Sequence, residues 1–166
     1  TAVIDVLSEQ VLFEEIYAQA PFGLTVILDS YPSGTPSSFW SSGRLPWMLT
    51  ATADINGVKE KIRFINIHAK SGSANADLIR RRFDNQVLKD SLDAYYANDN
   101  IILLGDYNDD LDQSIGTGAS TYDVIISDPD YDGVTISLSE AGLRSFIFND
   151  NVIDHITISN ELYDNY

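Results

Sequence analysis

The chain has 166 residues, of which 44% are hydrophobic, and it carries a formal net charge of −15 at pH 7. This length and composition indicate one globular domain, and the longest apolar runs, such as residues 101–104, are far too short to cross a bilayer. The absence of cysteine excludes disulfides and thiolate metal sites. The acidic charge argues against non-specific binding to nucleic acid. It does not exclude an enzyme that reaches one phosphate through a divalent cation.

The first part of the chain alternates between short apolar segments and loops. Residues 2–7 and 24–28 predict strands, and residues 13–18 fit a helix or a strand equally well. Residues 30–43 are rich in serine, proline and glycine, which is typical of a loop. This part of the sequence therefore predicts strands but no long helix.

A β-hairpin is predicted next, with strands at residues 48–55 and 61–68. The Asn56-Gly57 pair between them is the strongest short turn signal, because both residues tolerate a positive φ. The strand at 61–68 ends in polar residues rather than apolar ones, so its end is a place to look for function.

Residues 75–97 predict a long amphipathic helix, which Ser73 or Asn75 can cap. Apolar side chains recur along it at helical spacing, namely Ile79, Phe83, Val87, Leu92 and Tyr96. The three consecutive arginines at residues 80–82 are interpreted as a solvated face of this helix.

A short buried strand at residues 101–104 follows the helix. Further strands are predicted at residues 124–127, 134–138 and 153–158. The first half of this pattern is β-β-α-β, and the whole pattern indicates an α/β or α+β fold.

Polar side chains stand at the ends of two predicted strands. Asn66 and His68 are two residues apart on one strand and so share a face. Asp106 and Asn108 follow Gly105 at the end of the next strand and share a face if the backbone stays extended. A histidine can donate to a phosphate oxygen, a carboxylate can orient or deprotonate water, and an amide oxygen can ligate a hard cation.

Each of these patterns also has an ordinary structural explanation. Asn66 and His68 alone fit a hydrogen-bonded polar pair in a sheet, and Gly105–Asn108 alone fits a turn. The alternating acidic residues from Asp106 onward imitate half of a calcium-binding loop, but Leu111 and Thr117 occupy the positions where that loop needs glycine and glutamate.

Taken together, four motifs in order resemble the endonuclease/exonuclease/phosphatase superfamily, which includes deoxyribonucleases, abasic-site endonucleases, sphingomyelinases and inositol phosphatases. The motifs are the Asn66-x-His68 strand, the Gly105-Asp106-x-Asn108 loop, an arginine-containing strand entry at residues 42–46, and a strand motif at residues 152–159. The resemblance runs from about residue 40 to the end. It implies an α/β sandwich of four layers, with two packed mixed sheets and helices outside.

The resemblance also implies an activity, the hydrolysis of a phosphate ester by in-line attack of water, assisted by Mg²⁺ or by Mn²⁺ or Ca²⁺. His68 matches the histidine that contacts the phosphate or assists the leaving oxygen, and Asp106 matches the aspartate that aligns or activates the water. Asn108 matches the residue that acts with this aspartate in phosphate or metal contact. Asp154 matches the aspartate that orients a second catalytic histidine. Arg44 is a candidate for contact with the substrate phosphate.

Asn66 is a further candidate for substrate binding. The substrate class stays open: DNA, RNA, a phospholipid and a sugar phosphate all fit the superfamily, so nucleic acid is a possible partner. Asp106 and Asn108 are the predicted metal ligands, but the glutamate that the superfamily uses as its main ligand has no counterpart, since Ser8-Glu9-Gln10 has the right residue types in the wrong order.

The last superfamily motif, S-D-H-x-P, is also missing. Asp154-His155 imitates it, but apolar residues alternate around this pair and no proline follows, so His155 is predicted to be non-catalytic. Residues 1–166 are therefore expected to form a single partial domain that is inactive alone and associates with itself through uncovered sheet surface. The alternative is a non-catalytic binding module of the same fold. Location is unknown; the lack of cysteine together with the many Asn, Asp, Ser and Tyr residues weakly favours an extracytoplasmic or secreted bacterial protein.

Overall fold

A six-stranded mixed sheet forms the centre of the protein in a computed structural model, which describes residues 2–18 and 26–165. The strands are β1 (Ala2–Val11), β2 (Trp47–Ile55), β3 (Val58–His68), β4 (Asn100–Asp106), β5 (Tyr131–Asp132) and β6 (Asp154–Ser159). Their order in the sheet is β1-β2-β3-β4-β6-β5. Only β3 and β4 are paired in parallel, and all other described neighbours are antiparallel.

One long helix and several short ones accompany the sheet. The helices are α1 (Glu14–Ala18), α2 (Val26–Asp29), α3 (Phe39–Gly43), α4 (Asn75–Tyr96), α5 (Asp123–Ile126) and α6 (Ile136–Glu140), with 3-10 turns at Pro36–Ser38 and Asn160–Asn165. None of the helices in the described ranges is long and apolar enough to span a membrane. The predicted α+β fold is confirmed.

The hairpin, the long helix and the strand that follows it form where the sequence predicts them. Asn56 and Gly57 both have positive φ, of 56° and 91°, and they join β2 to β3. Helix α4 then carries the chain across the sheet, so that β4 lies parallel to β3. This crossover brings the ends of β3 and β4 to the same edge of the sheet.

The main core lies between one face of the sheet and α4. Ile65 and Ile67 of β3 and Leu103 of β4 are buried on this face, and Leu88 and Leu92 of α4 cover them. Alternate residues of a strand point to opposite faces. Asn66 and His68 therefore lie on the other, open face.

The open face is only partly covered. A small second cluster of Ala53, Ile62 and Leu162 protects its middle. Towards the β1 edge, Ile4 and Val6 are 61% and 63% exposed. This part of the sheet is thus an apolar surface in contact with solvent in the described structure.

Three predicted strands are wrong. Residues 26–28 of the predicted strand 24–28 belong to α2, while its residues 24 and 25 lie outside the described residues. The predicted strands 124–127 and 134–138 are mostly α5 and α6. Apolar runs of four or five residues carry no clear period, so local hydrogen bonds decide; the amide of Ile126 donates to the Tyr122 carbonyl at 3.0 Å.

Arg81 contradicts the interpretation of residues 80–82 as a solvated face. Its side chain is fully buried. It lies in a buried stripe of α4 that also includes Leu78, Asn85, Leu88 and Leu92. The spacing of three and four residues along this stripe places Arg81 on the inner face of the helix.

Candidate active site

His68 and Asp106 meet at the end of the parallel strand pair. The β3–β4 register aligns His68 with Asp106. His68 Nε2 lies 3.4 Å from Asp106 Oδ2, and both side chains are partly exposed. The amide of Ala69 donates to the Asp106 carbonyl at 2.9 Å, which extends the pairing by one residue. A distance this short allows both groups to reach one phosphate.

Gly105 makes this close approach of the strands possible. Its φ is +130°, and a Cβ at this position would lie 2.2 Å from the Ile67 carbonyl oxygen and 2.8 Å from Asn66 Oδ1. Only a residue without a side chain fits such a gap and adopts this φ without strain. Asn66 therefore lies beside the strand end that carries Asp106.

Asn108 is nearly buried and holds the loop after β4 in place. Its φ is +50°, a left-handed conformation that asparagine tolerates better than most residues. Its amide donates to Asp106 Oδ1 at 2.9 Å, and its Nδ2 donates to the Ala69 carbonyl at 3.1 Å. The side chain thus connects the ends of β3 and β4.

Arg44 reaches the same place from the segment before β2. Its Nη1 forms a hydrogen bond with His68 Nε2, and its Nη2 donates to the Ala69 carbonyl at 3.4 Å. The preceding segment, α3, is a tight turn rather than a regular right-handed helix, since its residues 40–42 all have positive φ. Phe39 and Trp40 bury their rings in the core and so anchor this turn.

The buried carboxyl of Asp84 lies beneath the same turn. Burial raises its pKa to about 7, although a hydrogen bond from the Trp40 backbone and one from the Tyr31 hydroxyl act in the opposite direction. The carboxyl thus accepts a hydrogen bond from the turn that carries Arg44.

Asp154 completes the row on the open face. The β4–β6 register places it directly opposite Asp106. Its side chain is exposed, and its amide donates to Ser145 Oγ at 3.1 Å. The structure thus brings all six predicted site residues to one end of the sheet: Arg44, Asn66, His68, Asp106, Asn108 and Asp154.

Two solved structures resemble this chain in fold. One is the human Nocturnin catalytic domain with bound sulfate anion, with a TM-score of 0.53 and 12% identity, covering 94% of this chain and 48% of that one. The other is the endonuclease/exonuclease/phosphatase from Bacteroides vulgatus, with a TM-score of 0.50 and 12% identity, covering 94% and 54%. The chain has the endonuclease/exonuclease/phosphatase fold. It spans about half the length of each of these structures.

Sequence comparison adds nothing to this assignment. No protein-family model matches the chain, and no curated protein matches it significantly. At 12% identity the two solved structures share the fold of this chain and not a residue-by-residue correspondence. The predicted roles of the site residues in this endonuclease/exonuclease/phosphatase fold therefore stay predictions.

A buried ion pair between Arg81 and Asp109, which the sequence analysis did not predict, holds the loops next to the site. Arg81 Nη2 lies 3.4 Å from Asp109 Oδ2, and both side chains are fully buried. This separation makes a charge contact rather than a hydrogen bond, and Arg81 also donates to the carbonyls of Lys70 and Gly72 at 2.5 and 3.1 Å. Asp109 Oδ2 accepts from the Thr121 amide at 2.9 Å. The pair thus ties both loops that leave the site to α4.

His155 occupies the opposite face of β6 from Asp154. Its ring is buried, with Nδ1 2.9 Å from Thr135 Oγ1 and Nε2 2.9 Å from the Val152 carbonyl. Burial lowers its pKa, although the Val152 carbonyl and the Asp110 carboxylate act in the opposite direction. The ring therefore packs inside the protein, and the prediction that His155 is non-catalytic stays a prediction.

The metal ligands predicted at the site are Asp106 and Asn108. Within residues 2–18 and 26–165, no group of three or more histidine, aspartate or glutamate side chains is placed to hold a metal ion. Asp106 Oδ1 accepts a hydrogen bond from the Asn108 amide, and Oδ2 faces His68. The predicted partial site at Asp106 and Asn108 therefore stays a prediction.

Proposed function

We propose that this chain provides the phosphate-binding side of the active site of a phosphate-ester hydrolase, either a nuclease or a phosphatase or phosphodiesterase. The contact of Arg44, His68 and Asp106 at one end of the sheet carries the proposal. His68 Nε2 accepts a hydrogen bond from Arg44 Nη1 and lies 3.4 Å from Asp106 Oδ2, so an arginine, a histidine and a carboxylate meet there. Such a group suits a tetrahedral anion that is attacked by water.

Arg44 and His68 are the proposed phosphate ligands. An arriving phosphate can accept hydrogen bonds from the Arg44 guanidinium and from a protonated His68, and so replaces the contact between these two side chains. Asn66 lies on the same face of β3, two residues before His68, and is a proposed contact for the rest of the substrate. One of the similar solved structures holds a sulfate, an anion with the same tetrahedral shape.

Asp106 is the proposed group that orients or deprotonates the attacking water. Because Asp106 Oδ2 lies 3.4 Å from His68 Nε2, a water that Asp106 orients would lie beside the proposed phosphate ligand. Asn108 fixes the angle of the Asp106 carboxylate through its backbone amide. Asp154, directly across the strand pair, is proposed to orient a second histidine, as the sequence resemblance implies.

Assistance by Mg²⁺, Mn²⁺ or Ca²⁺ is part of the proposal, with Asp106 and Asn108 as the proposed ligands. Residues 1–166 are proposed to act as a single partial domain that binds phosphate without appreciable turnover, because the main glutamate ligand and the last histidine motif of the superfamily have no counterpart in this sequence. The same motifs bear on the second candidate function, a non-catalytic module that binds an anionic ligand.

A titration with inorganic phosphate, followed by NMR, tests the phosphate ligands. His68→Ala and Arg44→Ala are each expected to weaken phosphate binding by roughly tenfold or more, because each removes a charge-assisted hydrogen bond. Lys59→Ala is the control, since Lys59 is an exposed cation beside the hairpin turn at the other end of β3. Equal affinities for the wild type and for all three variants would refute the proposal.

Self-association is a separate proposal for this chain. The exposed apolar side chains of Ile4 and Val6 on the open face are expected to pack against a second copy. Light scattering is expected to detect a dimer or larger species that Val6→Lys shifts towards monomer, while Tyr95→Lys, at a still more exposed site on α4, does not. A monodisperse wild-type monomer would contradict the proposal.

A further inference from the structure

An exposed apolar loop lies between α6 and β6. Residues 143–148 include Ile147 and Phe148, which are 76% and 77% exposed, and Leu143, which is also exposed. The ring of Phe146 meets that of Phe148 edge-on, with centroids 5.4 Å apart. Adjacent apolar side chains that remain in water often mark a binding surface.

The base of this loop is hydrogen-bonded to the candidate site. Ser145 Oγ accepts from the amides of Ile153 and Asp154 at 2.9 and 3.1 Å. The Ile153 carbonyl in turn accepts from the amide of Tyr107, in the loop after β4, at 2.7 Å. Phe148 follows Ser145 by three residues, a span of at most roughly 10 Å. Because Asp154 is the register partner of Asp106, and Asp106 that of His68, the base of the loop lies at the same end of the sheet as the predicted site.

We propose that Phe148, supported by Phe146 and Ile147, binds a planar aromatic ring that the phosphate ester carries. This inference rests on the proposed function, because it needs the phosphate at His68 and Arg44. An exposed phenyl ring offers a flat face on which other rings stack.

A single ring fits this surface better than a lipid bilayer does. The tip has only three exposed apolar side chains, and the exposed Arg144–Asp150 ion pair flanks them. The net charge of −15 repels the anionic lipids on which many interfacial proteins depend. A planar substituent one bond from the phosphate, in contrast, requires no large apolar area.

The test compares the binding of inorganic phosphate, phenyl phosphate and cyclohexyl phosphate by NMR. The wild type is expected to bind phenyl phosphate roughly tenfold more tightly than inorganic phosphate, because stacking on one aromatic side chain contributes about this factor. In Phe148→Ala the ratio of the affinity for phenyl phosphate to that for inorganic phosphate is expected to fall close to one. Phe148→Tyr is expected to retain the wild-type ratio. Tyr95→Ala, with the same 77% exposure at the far end of α4, is expected to keep the full ratio.

The outcomes separate this inference from the proposed function. If phosphate binds but phenyl phosphate gains nothing, or if Phe148→Ala leaves the ratio unchanged, the ring site is wrong and the phosphate site stands. Equal binding of cyclohexyl phosphate would also overturn the aromatic specificity, as would Phe148-dependent sedimentation with phosphatidylcholine vesicles. Absence of binding by all three phosphates would overturn the proposed function and the inference together.

Discussion

Gly105→Ala is expected to destabilise the protein by at least about 3 kcal/mol, which corresponds to a fall of roughly 6–12 °C in Tm for a domain of this size. The new Cβ would lie 2.2 Å from the carbonyl oxygen of Ile67, its register partner in β3. Backbone atoms of a paired strand cannot move aside without a loss of pairing between β3 and β4. Thermal unfolding followed by circular dichroism measures this change.

Gly118→Ala is the matched control for this prediction. Gly118 also has a positive φ, of +83°, but a Cβ there meets nothing within 4 Å. Its substitution is expected to cost only the backbone strain, about 1–2 kcal/mol. If the two alanine variants melted at the same temperature, the close approach of β3 to Gly105 would be wrong. Inorganic phosphate binding is expected to weaken in Gly105→Ala and to persist in Gly118→Ala.

Arg81→Ala is expected to destabilise the protein by about 3–5 kcal/mol, because it leaves the carboxylate of Asp109 buried without a counter-charge. It also removes the donors that hold the carbonyls of Lys70 and Gly72. Denaturant unfolding measures the change in free energy. Arg82→Ala, on the outer side of the same helix turn, is expected to stay within about 1 kcal/mol of the wild type, since it loses only a surface hydrogen bond to Ala119.

A double substitution decides whether the charge contact is the cause. Arg81→Ala with Asp109→Ala removes both charges, so it is expected to be at least about 1 kcal/mol more stable than the sum of the two single changes. Strict additivity would mean that Arg81 acts through its carbonyl contacts alone. In either case, the loops at residues 69–72 and 109–121 depend on α4 for their positions.

Long elements with a clear period could be predicted from the sequence. The regular spacing of apolar residues predicts the helix that spans Asn75–Tyr96, and Asn56-Gly57 predicts the hairpin turn before it. Both signals are local, because helix spacing and turn conformation depend on residues close together in the chain. Short apolar runs lack such a signal, which is why the strands predicted at 124–127 and 134–138 were wrong.

One part of the candidate site could likewise be predicted from the sequence, and the other part could not. The sequence by itself determined which side chains end β3 and β4, and the parallel crossover through α4 then required His68 and Asp106 to meet. The tertiary structure leaves Phe148 exposed. It alone decided that Arg44 reaches His68 and that Arg81 is buried against Asp109. These contacts join segments far apart in the chain, so they depend on how loops pack and not on any local pattern of residues.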